Sequence, residues 1–309
     1  MADLDRATEI LRAELGPELR VDAPLAPFTT FRIGGNAALF VDAEREATLL
    51  AVASAVAASG VPVIVIGRGS NVLVSDGGFP GIVVRLGRAY RWAGRDGNLI
   101  TAGGSMPLPA LAGIALRHEL AGVEFGVAIP ATLGGAVRMN AGAHGRSMAE
   151  VLERIDVFSL GDATRRAVSG TDAGFAYRSS ALGADAVVVG ATVRLEPGEA
   201  TEIRARMDEA REWRRRTQPL TEPNCGSVFK NPDGDHAARL IEAAGAKGLR
   251  IGGARVSEKH ANFIVADPGT SAADVWAVIA HVRRLVADRT GVTLETEVQV
   301  IGEVAGVDA

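Results

Sequence analysis

A single cysteine, Cys225, in 309 residues excludes an internal disulfide framework and any metal site built from several thiolates. The five histidines (His118, His144, His236, His260 and His281) are scattered and form no HxH or HExxH spacing, so no metal centre is expected. Lysine is nearly missing, three against thirty arginines, which reads as genome composition before function. No apolar run approaches the roughly 20 residues of a membrane helix. The opening MADLDRATEILRAELGPEL is acidic and amphipathic and has no basic-then-apolar leader pattern. Neither charge sign dominates, and a formal net charge of −4 argues against a general nucleic-acid or anionic-membrane binder. The expectation is a soluble cytoplasmic protein with no nucleic-acid or membrane partner.

What the chain does have is glycine. Thirty-seven glycines amount to about 12%, against a usual share of roughly 7%, and they cluster in loops without a collagen period. With 47% hydrophobic and 23% charged residues, the chain can build a sizeable core and is not disordered. The length suggests two domains at about 100–200 residues each. The break falls near residue 198, where Glu196-Pro197-Gly198-Glu199 interrupts an apolar strand.

Apolar spacing predicts a helix over 3–15, a Pro-rich connector, a strand AALFVDA, and a helix over 44–60 stopped by Gly60. A β-branched strand, VPVIVIG, follows over 61–67. A nucleotide-binding βαβ unit would continue with a helix. Here GRGSN leads instead into VLVSDGGFPGIVVRL, two apolar runs around Asp76-Gly77-Gly78, which predict a hairpin. Beyond it come a strand over 99–104, a helix over 106–122, a glycine-rich segment over 122–145, strands over 154–160 and 186–195, and a helix over 199–216. The last hundred residues read as α+β: a loop, a helix near 236–246, a small strand pair, a long helix over 271–290 and a final strand, TLETEVQVIGE.

Three segments could carry chemistry. Gly67 and Gly69, one residue apart at a strand end, with Ser70 and Asn71 after them, can form either a concave anion nest or a plain tight turn. Val72 occupies the third glycine position of the dinucleotide fingerprint, so a Rossmann site is excluded. The second segment, AIPATLGGAVRMNAGAHG, is either a loop that lets a flat ligand approach the backbone or a site of close packing. The third, Asn224-Cys225-Gly226-Ser227-Val228-Phe229-Lys230-Asn231, offers a serine as nucleophile, proton donor or turn residue, without the GxSxG elbow of acyl transfer. Cys225 reads as a small buried side chain. Taken singly, Arg178 in FAYRSS and Glu297 in LETEVQV are ordinary charged residues.

In order and spacing, TTFRIGGNA, GRGSNVLVSD, AIPATLGGAVRMNAGAHG, FAYRSS, CGSVFKNP, GLRIGGARVSEKHANFIV and LETEVQVIG resemble the UDP-N-acetylenolpyruvoylglucosamine reductase family over nearly the whole chain. The resemblance implies an α+β fold: an FAD-binding domain of the vanillyl-alcohol-oxidase (PCMH) type over 1–198, including the helix and connector of 1–30, and a smaller substrate-binding domain over 199–309. It implies tightly bound FAD, NADPH as reductant, and reduction of UDP-N-acetylglucosamine enolpyruvate to UDP-N-acetylmuramate for peptidoglycan.

By motif, Ser227 would be the proton donor, and Arg178 and Glu297 would stabilise the enolate, Glu297 with a proton on its carboxyl. Gly67, Gly69, Ser70 and Asn71 would hold the FAD pyrophosphate. Pro130, Gly134, Gly135, Met139, Asn140, Gly142 and Ala143 would line the flavin, and Arg214, Lys230 and Asn231 would contact the UDP-sugar. His144 stands where many relatives carry tyrosine, and Thr217 where some carry a basic residue. Residues 181–187 are too few for an inserted tyrosine-bearing flap, so the chain resembles the flapless subgroup. Other readings are a different FAD-linked oxidase, for which CGSVFKNP and LETEV have no reason to occur, and a nucleotide-binding protein without catalysis.

Overall fold

In a computed structural model, residues 2–304 and Gly306 are described. The chain packs as two compact units. One comprises Met1–Val21, Leu39–Arg68 and Gly81–Trp213, the other Asp22–Ala38, Gly69–Pro80 and Arg214–Ala309. These packing units are not the two ligand-binding domains read from the sequence, which divide the chain once, near 198. Asp22–Ala38 and Gly69–Pro80 pack with the C-terminal residues because Phe31, Ile33 and Leu73 are buried in that unit's core.

The larger unit is built on a five-stranded antiparallel sheet in the order Thr164–Ser169, Leu152–Ser159, Ala186–Arg194, Leu99–Gly103, Ala93–Asp96. Its central strand, AVVVGATVR, is apolar and buried along nearly its full length, as a strand covered on both faces must be. Val187 and Val189 join one core, with Leu11, Leu49 and Val52 of two helices, while Val188, Ala191 and Val193 join the other. The change of phase has a visible cause. Asp156 pairs with Gly190 but Val157 pairs with Val188, so Val189 is an extra residue, and one extra residue turns the rest of a strand over. On the second core pack the helix Leu108–Arg117, the helix Leu133–Arg138, and the stripe Ile203, Met207 and Ala210 of the helix Ala200–Thr217.

The smaller unit holds a three-stranded antiparallel sheet (Arg250–Ile251, Ala254–Val256, Ile264–Ala266) and the helices Ala237–Ala243 and Ala272–Thr290. Ser271 caps the longer helix, which stops at Gly291 with φ 74°. The Asp76 carboxylate adds a second cap, accepting the N–H groups of Ala272 and Ala273 at 2.7 and 3.1 Å.

The hairpin expected around Asp76-Gly77-Gly78 does not form. The turn is present, closed by Gly78 N–H to Ser75 O at 3.0 Å, but its arms enter different sheets. Val72–Val74 pairs in parallel with Gln299–Ile301, and Phe79–Leu86 pairs in parallel with Val63–Val65. The glycine-rich segment, which the sequence reads as either a ligand-binding loop or a site of close packing, contains the helix Leu133–Arg138. The final strand shortens to Gln299–Ile301, and the strands Leu19–Pro24, Ala93–Asp96 and Thr164–Ser169 are additions to the sequence reading.

Candidate active site

In the larger unit, two glycine-rich segments that lie far apart in the chain meet. A Cβ on Gly67 would stand 2.7 Å from Thr132 Oγ1. That hydroxyl is engaged: it accepts Gly135 N–H at 3.2 Å and so caps the helix Leu133–Arg138. The helix lies tight on the sheet, with Gly134 N–H bonded to Gly104 O at 2.8 Å. A Cβ on Gly134 would be 3.1 Å from both Gly104 O and Val188 O. Gly135 is different, because a Cβ there would meet only Thr132 Oγ1, at 3.4 Å, which leaves its backbone bare. A side chain at Gly134 would press on the sheet, whereas one at Gly135 would meet only the threonine hydroxyl.

Past the helix, buried Asn140 ties this segment to the FAYRSS turn. Its Nδ2 donates to Ala176 O at 3.0 Å, and its Oδ1 accepts Ala149 N–H at 2.9 Å. Ser180 Oγ donates to Arg138 O at 2.8 Å, and Arg178 Nη2 donates to Gly142 O at 3.0 Å. The turn itself is closed by both backbone bonds between Ala176 and Ser179. Arg178 takes φ 57°, unusual for a residue with a side chain, and its guanidinium lies 5.0 Å from the Tyr177 ring centre. The expected catalytic arginine is thus seated by hydrogen bonds on the segment expected to line a flavin. His144, at the tip of a two-residue hairpin, meets Trp213 edge-on at 5.3 Å.

In the smaller unit, three more of the marked segments converge. Gly69 has φ 61°, and a Cβ there would lie 2.2 Å from Phe28 O, so only glycine fits. Among the described residues, the backbone N–H groups of Gly69, Ser70 and Asn71 have no acceptor, as an anion nest requires. A Cβ on Gly226 would stand 3.8 Å from Ser70 O, which puts the CGS loop beside that nest. Asn71 Nδ2 donates to Glu297 O at 3.1 Å, and Gln299 N–H donates to Asn71 O at 3.0 Å. The segments of Ser227 and Glu297 are also paired, with Glu297 N–H on Val228 O at 2.7 Å and Lys230 N–H on Glu295 O at 2.9 Å. Among the described residues the Ser227 hydroxyl makes no hydrogen bond, and the side chain is half-buried. Burial pushes the Cys225 thiol far up, so it stays protonated, as a packed cysteine does.

Arg178 belongs to the larger unit, with Gly67, Pro130, Gly134, Gly135, Met139, Asn140, Gly142 and Ala143, whereas Ser227, Glu297, Gly69, Ser70, Asn71, Arg214, Lys230 and Asn231 belong to the smaller. Three of the last group have protein partners of their own. Lys230 pairs with Glu295, Asn231 Oδ1 accepts Ala237 N–H at 3.1 Å, and Arg214 Nε donates to Gln218 at 2.9 Å. The sequence reading missed Asn262. This buried amide accepts Phe229 N–H at 2.9 Å and donates to Phe229 O at 2.8 Å, while its backbone oxygen takes Val228 N–H at 2.9 Å. It fixes the loop that carries Ser227. An asparagine inside EKHANFIV gives no local signal of such a duty.

In the smaller unit, the nest of unpartnered N–H groups fits a phosphate; in the larger, the glycine-rich segment at Gly135 leaves room for a flat group to approach the backbone. No group of three or more possible metal ligands occurs among the described residues. None of the described helices is long and apolar enough to cross a membrane.

Residues 37–167 match the family profile of an FAD binding domain, and residues 218–301 match the profile described as UDP-N-acetylenolpyruvoylglucosamine reductase, C-terminal domain. UDP-N-acetylenolpyruvoylglucosamine reductase of Heliobacterium modesticaldum is 44% identical over 301 residues, 97% of this chain and 95% of that protein. The protein of the same name from Halalkalibacterium halodurans is 40% identical over 301 residues, 97% of this chain and 100% of its own. The crystal structure of UDP-N-acetylenolpyruvylglucosamine reductase from Thermus caldophilus superposes with a TM-score of 0.80 at 35% identity, covering 92% of this chain and 98% of that one.

Proposed function

Because the chain belongs to the UDP-N-acetylenolpyruvoylglucosamine reductase family, we propose that it reduces the enolpyruvyl ether of UDP-N-acetylglucosamine enolpyruvate to UDP-N-acetylmuramate, with NADPH as reductant, in peptidoglycan synthesis in the cytoplasm. FAD, when bound, takes two electrons from NADPH and passes them on as a hydride. Residues 1–198 serve the cofactor and residues 199–309 the UDP-sugar.

The hydride goes to the terminal methylene carbon, the π bond of the C=C pair breaks while its σ bond stays, and the π electrons fall on the carbon next to the carboxylate. Arg178 disperses that charge from its fixed seat on Gly142. Glu297 hydrogen-bonds the same carboxylate from a protonated carboxyl. Ser227 delivers the proton that completes the saturated ether, its hydroxyl being committed to no protein partner among the described residues. Gly67, Gly69, Ser70 and Asn71 hold the pyrophosphate, and Pro130, Gly134, Gly135, Met139, Asn140, Gly142 and Ala143 line the ring. Arg214, Lys230 and Asn231 receive the UDP-sugar, each giving up or sharing its protein partner. No inserted flap covers the sugar.

The observation that carries this reading beyond family membership is the pairing of two segments 70 residues apart, with Glu297 N–H on Val228 O at 2.7 Å. It sets the expected hydroxyl and carboxyl on adjoining strands of backbone. The purified protein is expected to be yellow and to oxidise NADPH only when the enolpyruvyl UDP-sugar is present. A colourless protein that FAD cannot reconstitute would defeat the proposal.

A further inference from the structure

The Asn71 side chain does not behave as a simple phosphate ligand. One of its two amide hydrogens is spent on Glu297 O at 3.1 Å, and the Asn71 backbone carbonyl accepts Gln299 N–H at 3.0 Å. Directly after it, Val72–Val74 runs in parallel register with Gln299–Ile301. The nest and the segment bearing Glu297 are therefore joined at three successive points, and Asn71 supplies the two nearest the carboxyl. Its backbone N–H has no acceptor among the described residues and remains for the nest.

From this we infer that Asn71 is a positioning residue, whose carboxamide fixes the Glu297 backbone to the phosphate-binding loop, so that cofactor loop and carboxyl are held as one piece. The inference rests on the role of Glu297 proposed above. An alanine at 71 keeps the backbone nest and the parallel strand pair and removes only the amide bond. Cofactor affinity then survives, and the step that uses Glu297 suffers.

The test measures FAD dissociation from the holoenzyme by flavin fluorescence, flavin bleaching by NADPH, and flavin reoxidation by the enolpyruvyl UDP-sugar, for Asn71→Ala, Glu297→Gln and the double variant. With Asn71→Ala, FAD affinity and bleaching stay within about threefold of the parent while reoxidation slows by about 20-fold or more, the scale of a lost charge-positioning contact. The double variant is no slower than Glu297→Gln, within about twofold, because the two substitutions act on one interaction. Asn71→Ser, too short to reach the carbonyl, gives the same split if the alanine variant does not fold.

An FAD affinity lowered by about a hundredfold with unchanged reoxidation of the loaded fraction would make the Asn71 carboxamide, and not only its backbone N–H, a cofactor ligand and overturn the inference. So would multiplicative losses in the double variant. A Glu297→Gln protein that keeps its full reoxidation rate removes the reading beneath it instead.

Discussion

Gly67 and Thr132, 65 residues apart, stand so close that a methyl group on Gly67 would fall 2.7 Å from the threonine hydroxyl. The hydroxyl cannot simply turn away, because it caps the following helix through Gly135 N–H. Gly67→Ala should therefore cost about 1–3 kcal/mol through overpacking. It should also lower FAD affinity more than it lowers apoprotein stability, read by flavin fluorescence beside a denaturant melt. Thr132→Ala, which loses only the cap, should cost about 1 kcal/mol.

Arg178 is held by its Gly142 bond and by a positive φ. A lysine cannot match the planar guanidinium, so Arg178→Lys should slow flavin reoxidation by the UDP-sugar by about 100-fold or more while leaving bleaching by NADPH nearly unchanged. Stopped-flow absorbance of the two half-reactions checks this.

Asn262 satisfies both polar groups of Phe229 from inside the core. Asn262→Leu strands a buried N–H and a buried C=O, and should destabilise the protein by about 2–5 kcal/mol in urea unfolding.

Acid sensitivity has a specific contributor in Glu124. Burial alone would raise its carboxyl, but hydrogen bonds from its own and the Gly122 N–H groups and from Arg206 bring it below the usual value of 4.5. A folded-state value below the unfolded one means stability that is present above pH 4.5 and lost as pH falls through the depressed value. The Tm difference between parent and Glu124→Gln should accordingly shrink on acidification from neutral pH to below 4. An unchanged difference would remove Glu124 as a contributor.

Local signals were legible in the chain. The helix Leu4–Leu15 follows its apolar spacing, and Gly60 ends the helix Glu46–Ser59 with φ 64°. The motif segments were also legible as candidates, but their company was not. Val72–Val74 reads as a hairpin arm because its partner, Gln299–Ile301, lies more than two hundred residues on, and a turn signal specifies reversal without specifying pairing. The helix Leu133–Arg138 forms despite two glycines because tertiary contact with Gly104 and Val188 outweighs their intrinsic cost of about 1 kcal/mol each. The edge strand Thr164–Ser169, TRRAVS, is exposed along almost its whole length, so it carries no apolar alternation to find. Asn71, Asp76 and Asn262 act across long separations on backbone groups, and backbone groups leave no trace in sequence.

The most direct measurement is single-turnover kinetics of Ser227→Ala. If Ser227 gives the proton, bleaching of the flavin by NADPH keeps its rate while reoxidation by the enolpyruvyl UDP-sugar slows by several orders of magnitude. Equal slowing of both half-reactions, or reoxidation at the parent rate, would contradict the assignment.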